Sequence, residues 1–162
     1  MLLNGLKQFR VKLKRHLYNK LKLIQIMLDE KITLEYDQPK CKIYHYQNIN
    51  TVVLEWSGYA SHEEFVDACD FSLELMIKNK GSKMIANNLK SEVVSPKNQD
   101  WLTTIWFPKA YAQGYRTSAV LVAKSLFNQI TVKEIVNKMD KGKFTVQFFT
   151  TLEDAVQWLK TV

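Results

Sequence analysis

With 162 residues, 46% of them apolar and only 5 Gly and 3 Pro, the chain is sized for one domain with a real core, which excludes a disordered or fibrous protein. Its net charge of +7 is confined to one end: Met1–Leu28 holds seven Lys and Arg and no acid, and Asp29–Val162 is neutral. The pI near 9.3 therefore describes an appendage, and the body offers no basic face for nucleic acid.

Residues 1–28 place Leu2, Leu6, Phe9, Leu13, Leu17, Leu21, Ile24 and Leu28 at steps of three and four, the stripe of an imperfectly amphipathic helix, with Lys20 intruding on the stripe and Val11, Leu23 and Ile26 off it. Lys7, Arg10, Lys14, Arg15 and Lys22 are the cations with which this helix would meet a partner. The uncharged runs Met1–Leu6 and Leu23–Leu28 are shorter than the roughly 7–15 residues of a signal-peptide core or the roughly 18–20 of a spanning helix. A cytoplasmic location, with peripheral attachment to membranes through the basic helix, is the expectation. Met27 stands at the charge boundary, so a chain started there would lack the basic segment.

From Asp29 the period changes. Ile32–Tyr36, Cys41–Gln47 and Thr51–Trp56 read as strands, with Asn48–Asn50 as a hairpin turn. Ser61-His-Glu-Glu64 and Thr131-Val-Lys-Glu134 are capping boxes, the second reinforced by Ile130 and Ile135 as a hydrophobic staple. Thr151-Leu-Glu-Asp154 is a looser cap, and Ser95-Pro96 opens a further helix with Pro in its first turn. Gly81, Gly114 and Gly142 mark helix ends. Lys83–Asn87, Thr117–Ala123 and Phe144–Thr150 are short apolar or β-branched runs between those helices. Strands separated by whole helices pair in parallel, and the hairpin makes the sheet mixed. The expected fold is α/β: a mixed, mostly parallel sheet of about five to six strands with about four flanking helices. The basic helix, residues 1–28, stands outside a domain spanning 29–162.

Further residues resemble a known class. They are Val52-Val-Leu-Glu-Trp-Ser-Gly58, Met84-Ile-Ala-Asn-Asn88, Ser95-Pro-Lys-Asn-Gln-Asp-Trp101 with Trp106-Phe-Pro108, Ala119-Val-Leu-Val122, and Phe148-Phe-Thr-Thr-Leu-Glu-Asp-Ala155 before Trp158. From about Cys41 onward the chain resembles the small bacterial SpoIIAA-like domains, which are related to STAS domains and distantly likened to CRAL-TRIO lipid-transfer domains. The resemblance implies an α/β regulatory or protein-interaction module. The class's phosphorylated Asp-Ser-small-Gly turn has no counterpart here, because the matching strand ends in Asn87-Asn88-Leu89-Lys90. Ser91 and Ser95 are the nearest hydroxyls, and Ser95 reads as a helix cap.

Two surfaces stand out in the body. Trp101, Trp106 and Tyr111, beside Asn87, Asn88 and Ser95, read either as an apolar pocket with polar anchors beyond the strand ends or as helix-to-sheet packing. Glu63, Asp67, Asp70 and Glu74 step by four, three and four, a solvated helix face or a docking surface for a cationic partner. The opposite face, Val66, Cys69, Leu73 and Ile77, is expected to bury. No nucleotide-binding loop, nucleophile elbow or His/Cys cluster with metal spacing occurs, and Cys41 and Cys69 read as reduced structural thiols.

The expected function is a non-enzymatic regulatory or protein-interaction module without cofactor or metal. Its partner is a protein or a second copy. The alternative is a lipid- or small-apolar-ligand-binding protein held at anionic membranes by residues 1–28, and nucleic acid ranks last among partners.

Overall fold

A computed structural model gives the fold and describes residues 2–122, 126–140 and 142–162. The elements in chain order are α1 (Leu2–Glu30), β1 (Ile32–Asp37), β2 (Cys41–Tyr46), a 3-10 turn (Gln47–Ile49), β3 (Thr51–Gly58), α2 (His62–Lys78), β4 (Lys83–Ser91), α3 (Pro96–Trp101), a π-helical turn (Leu102–Trp106), α4 (Phe107–Ala112), β5 (Thr117–Leu121), α5 (Leu126–Asn137), β6 (Thr145–Phe149) and α6 (Leu152–Leu159). The chain is α/β, with a six-stranded mixed sheet in the order β1-β2-β3-β4-β5-β6. β1, β2 and β3 pair antiparallel; β3 through β6 pair in parallel. Of the predicted third parallel strand, Ala123 lies outside the described residues.

Parallel strands added in one direction place every crossover helix on the same face. α2, the α3–α4 segment and α5 accordingly cover one side, where Leu54, Trp56, Phe65, Leu73, Met76, Met84, Trp106 and Ile135 form the main core. α6 covers the other side, where Val53, Ile85, Leu121, Val156 and Leu159 pack. Lys83 at the start of β4 donates to the Leu159 carbonyl at 2.8 Å, fixing the end of α6 to the sheet.

The helix starts follow local chemistry in three of four cases. Ser61 caps α2 with a complete capping box: its hydroxyl accepts from the Glu64 amide, and the Glu64 carboxylate accepts from the Ser61 amide at 2.8 Å. That backbone hydrogen bond, followed by the one to the Ser61 side chain, holds the Glu64 carboxyl below its ordinary range. Ser95 caps α3 and Thr151 caps α6. The predicted box at Thr131 is not a cap. α5 begins at Leu126, so Thr131 is an interior, buried residue, and Ile130 of the supposed staple is exposed while Ile135 is buried.

Helix ends correct one further expectation. At the end of α2 the left-handed residue is Lys80 (φ 53), not Gly81. The Lys80 amide donates to Ile77 and the Gly81 amide to Met76, both at 2.9 Å, which is a Schellman closure with Lys80 in the glycine position. Gly81 sits in a tight place: a Cβ there would stand 3.3 Å from the Asn50 carbonyl. Gly114 (φ 103) occupies the left-handed position after α4, as expected. Gly142 lies in the turn after α5, where Lys143 and Phe144 donate back to the Asp140 carbonyl.

α2 also sits rotated from the predicted face. It buries Phe65, Ala68, Cys69, Ser72, Leu73, Leu75 and Met76. Val66 is only half-buried and Ile77 is 43% exposed. Phe65 stacks on Trp56, with ring centroids 5.0 Å apart, and a helix face that buries that ring turns Val66, one residue on, away from the sheet.

Candidate functional site: an apolar cavity under a π turn

The α3–α4 segment runs as one helical path interrupted by the π turn at Leu102–Trp106. The interruption has a local cause. Pro108 has no N–H for the Thr104 carbonyl and clashes with a regular turn before it. The Phe107 amide instead reaches back five residues to the Leu102 carbonyl. Thr103 and Thr104 add side-chain bonds to the Gln99 and Asp100 carbonyls at 2.9 and 2.7 Å. π turns of this kind recur at functional sites because they swing one side chain out of the helical period. Here the turn ends on Trp106.

Beneath it lies a cavity of about 100 Å³ between the sheet and the helical layer. Its floor is two neighbouring rungs of the sheet. Leu54, Ala86 and Val120 stand in register on β3, β4 and β5, and Met84 stands beside Ser118. Ala86 and Ser118 are the small members, so the floor is hollow at its centre. Phe65 and Cys69 of α2, Leu102, Trp106 and Phe107, Val132, Ile135 and Val136 of α5, and Met139 just after it form the roof.

The polar groups at this cavity are few. The buried Tyr115 hydroxyl is hydrogen bonded to the Ser118 side chain, and burial drives its pKa well above the ordinary phenol value despite that bond. Asn88 lines the cavity from β4, where the register against β3 slips between Glu55 and Ser57. Such a bulge re-aims side chains beside a site. Its amide donates to the Ala86 carbonyl at 3.1 Å. The Trp106 indole N–H is buried and has no acceptor among the described residues. A buried, unmatched N–H costs about 1–3 kcal/mol, so native structures rarely keep one without a reason.

The predicted pocket residues therefore separate. Asn88 and Trp106 line the cavity. Asn87, one position along β4, alternates to the side of Ile85 and accepts from the Leu89 amide. Ser95 serves as the α3 cap. Trp101 packs edge-on to His62 and Phe65, at 6.3 and 6.2 Å. Tyr111 lies under the Arg116 guanidinium at 3.9 Å. The expected position beyond the strand ends also fails. That position belongs to sheets whose strand order reverses, whereas this sheet grows in one direction and its cavity lies under the helices.

Sequence reasoning missed Asn98. Its side chain is 1% exposed and joins two helices: Oδ1 accepts from His62 Nδ1 at 2.8 Å, and Nδ2 reaches the Ala60 carbonyl at 3.5 Å. The partner lies 36 residues upstream, so no local pattern marks it.

The acidic row on α2 borders a separate groove of about 560 Å³. Asp67, Asp70 and Glu74 line it together with Glu64, Tyr36 and Phe71. Glu63 stays outside. Asp70 is already paired with Lys109 at 2.8 Å. Among the described residues no group of three His, Cys, Asp or Glu is placed to hold a metal ion.

Cys41 and Cys69 are free and buried. Burial raises both thiols far above their ordinary value, with the Glu55 charge adding at Cys41, and Cys41 and then Asp70 adding at Cys69. A raised thiol pKa means almost no thiolate at neutral pH, and thiolate is the reactive form. Titration of the native protein with a chromogenic disulfide at neutral pH is expected to show no rapidly reacting thiol, and both thiols are expected to react in denaturant.

Comparison with family models, curated proteins and solved structures finds no match.

Proposed function

We propose that the chain is a non-enzymatic module that binds a small, largely apolar ligand carrying one hydrogen-bond acceptor. The observation that carries this reading is the mostly apolar cavity walled in part by Trp106, whose buried indole N–H has no acceptor among the described residues. Size narrows the ligand. A protein cavity of about 150 Å³ takes benzene, and drug-sized ligands need roughly 300–1,000 Å³. At about 100 Å³ the site is smaller than either, so a single ring is the largest group it takes, and only as its walls give; an acyl chain does not fit. This favours the small-ligand half of the alternative function over its lipid half. In the regulatory setting that the SpoIIAA-like resemblance implies, occupancy would set how tightly the π turn and α5 pack on the sheet.

Thermal-shift and calorimetric titrations with benzene and benzaldehyde test the reading, because the two differ chiefly in one acceptor oxygen. Satisfying the indole N–H is expected to make benzaldehyde bind about 5- to 150-fold more tightly, the equivalent of about 1–3 kcal/mol. Trp106→Phe keeps an aromatic wall and removes the donor, so the preference is expected to vanish in that variant. If neither compound binds at millimolar concentration, the cavity is only a packing defect.

A further inference from the structure

We propose that α1 is a docking helix for anionic lipid surfaces, lying in the plane of the membrane rather than crossing it. The argument starts from what is uncovered. Every residue from Lys7 to Lys22 is exposed, and α1 meets the body at the 3-10 turn and α6. Phe9, Leu13, Leu17, Leu21 and Ile24 step by four, four, four and three along one face. Phe9 is 64% and Leu21 66% exposed, and the other three are about half exposed or close to it. A continuous apolar row of this length marks a surface that is covered in use.

The charges are arranged around that row. At 100° per residue, Lys7 and Lys14 flank the row on one side and Lys12 on the other, Arg10 and Lys20 fall within its arc, and Arg15 and Lys22 lie on the far side with Val11 and Tyr18. Long basic side chains at such borders can lay their stems along an apolar surface while the charged ends reach outward. The helix is about 43 Å long. Among the described residues no helix is long and apolar enough to cross a membrane. Seven cations distributed about an exposed apolar row on a helix that does not span describe a helix at the interface.

Other occupants satisfy only part of this surface. Nucleic acid would neutralise the cations and leave the apolar row in water. The acidic groove of a second copy has apolar side chains, but two of its four acids are engaged: Asp70 with Lys109 and Glu64 in the cap of α2. That leaves two carboxylates for seven cations. An anionic bilayer supplies both a charged plane and an apolar layer beneath it. The inference is independent of whether the cavity takes a ligand.

The test is co-sedimentation of the full chain with phosphatidylcholine vesicles, with and without phosphatidylglycerol. Binding is expected to be at least about tenfold stronger on the anionic vesicles, since each cation near such a surface contributes favourably, and to weaken as salt is raised. Leu13→Glu with Leu17→Glu is expected to abolish binding. Lys7→Gln, Arg10→Gln and Lys14→Gln together are expected to reduce it toward the neutral-vesicle level. Thermal unfolding of the body should be unchanged in both variants, because these side chains are exposed. Absence of binding, equal binding to both vesicle types, or full binding by the Leu13/Leu17 variant overturns the proposal. So does a dimer that those two Glu substitutions dissociate while vesicles leave the wild type in solution.

Discussion

Asn98→Ala is expected to lower the unfolding free energy by about 2–3 kcal/mol, and the melting temperature by about 4–12 °C. The Asn98 amide is the buried polar joint between the start of α2 and the first turn of α3. Alanine leaves the Ala60 carbonyl and the His62 ring nitrogen without their partner and opens a void where the amide stood. The α3 cap survives, because Ser95 accepts from the backbone amide of residue 98, which alanine retains. The loss should therefore be one of stability with helix content preserved below the transition. Thermal unfolding followed by circular dichroism reads both quantities. A change under about 0.5 kcal/mol, the size of an ordinary surface substitution, would show that Asn98 does not join the two helices in solution.

The second large effect belongs to the cavity floor. Ala86 lies in one rung with Leu54 and Val120, and it is the small residue of the three. Ala86→Leu is expected to fill the hollow, to raise stability by about 0.5–2 kcal/mol, and to remove detectable binding of benzene and benzaldehyde. Leucine forced into a full core would instead cost about 1–3 kcal/mol. The sign of the change thus measures the space itself. Chemical denaturation of the variant, together with the ring titrations, gives the two readings from one preparation.

These residues also show how much was legible beforehand. Strand positions and three of four helix starts were readable because their determinants are local. An alternating run or a serine three residues before a glutamate carries its own signal. The box at Thr131 failed for the same reason: its spacing also occurs inside a helix, and only the buried packing of Thr131 and Ile135 tells the cases apart. Lys80 takes the left-handed position that glycine is expected to fill, while Gly81, next to it, lies in close approach to Asn50. The cavity was half legible. Trp106 and Asn88 were named, but Ala86 and Ser118 become neighbours only through strand register, which no single segment encodes. The same limit hid Asn98, and it assigned Asn87 and Asn88 to one site although consecutive strand residues face opposite sides.

The strand order carries a consequence for how the molecule is made. Each strand of this sheet pairs only with the strands immediately before and after it in the chain. Nothing synthesised early must wait for a partner synthesised last. A hairpin can form first, and each later strand can dock on an edge already present as it leaves the ribosome. Growth of that kind keeps loop closure short and extends the sheet at one edge only, which limits the unpaired strand exposed to aggregation during synthesis.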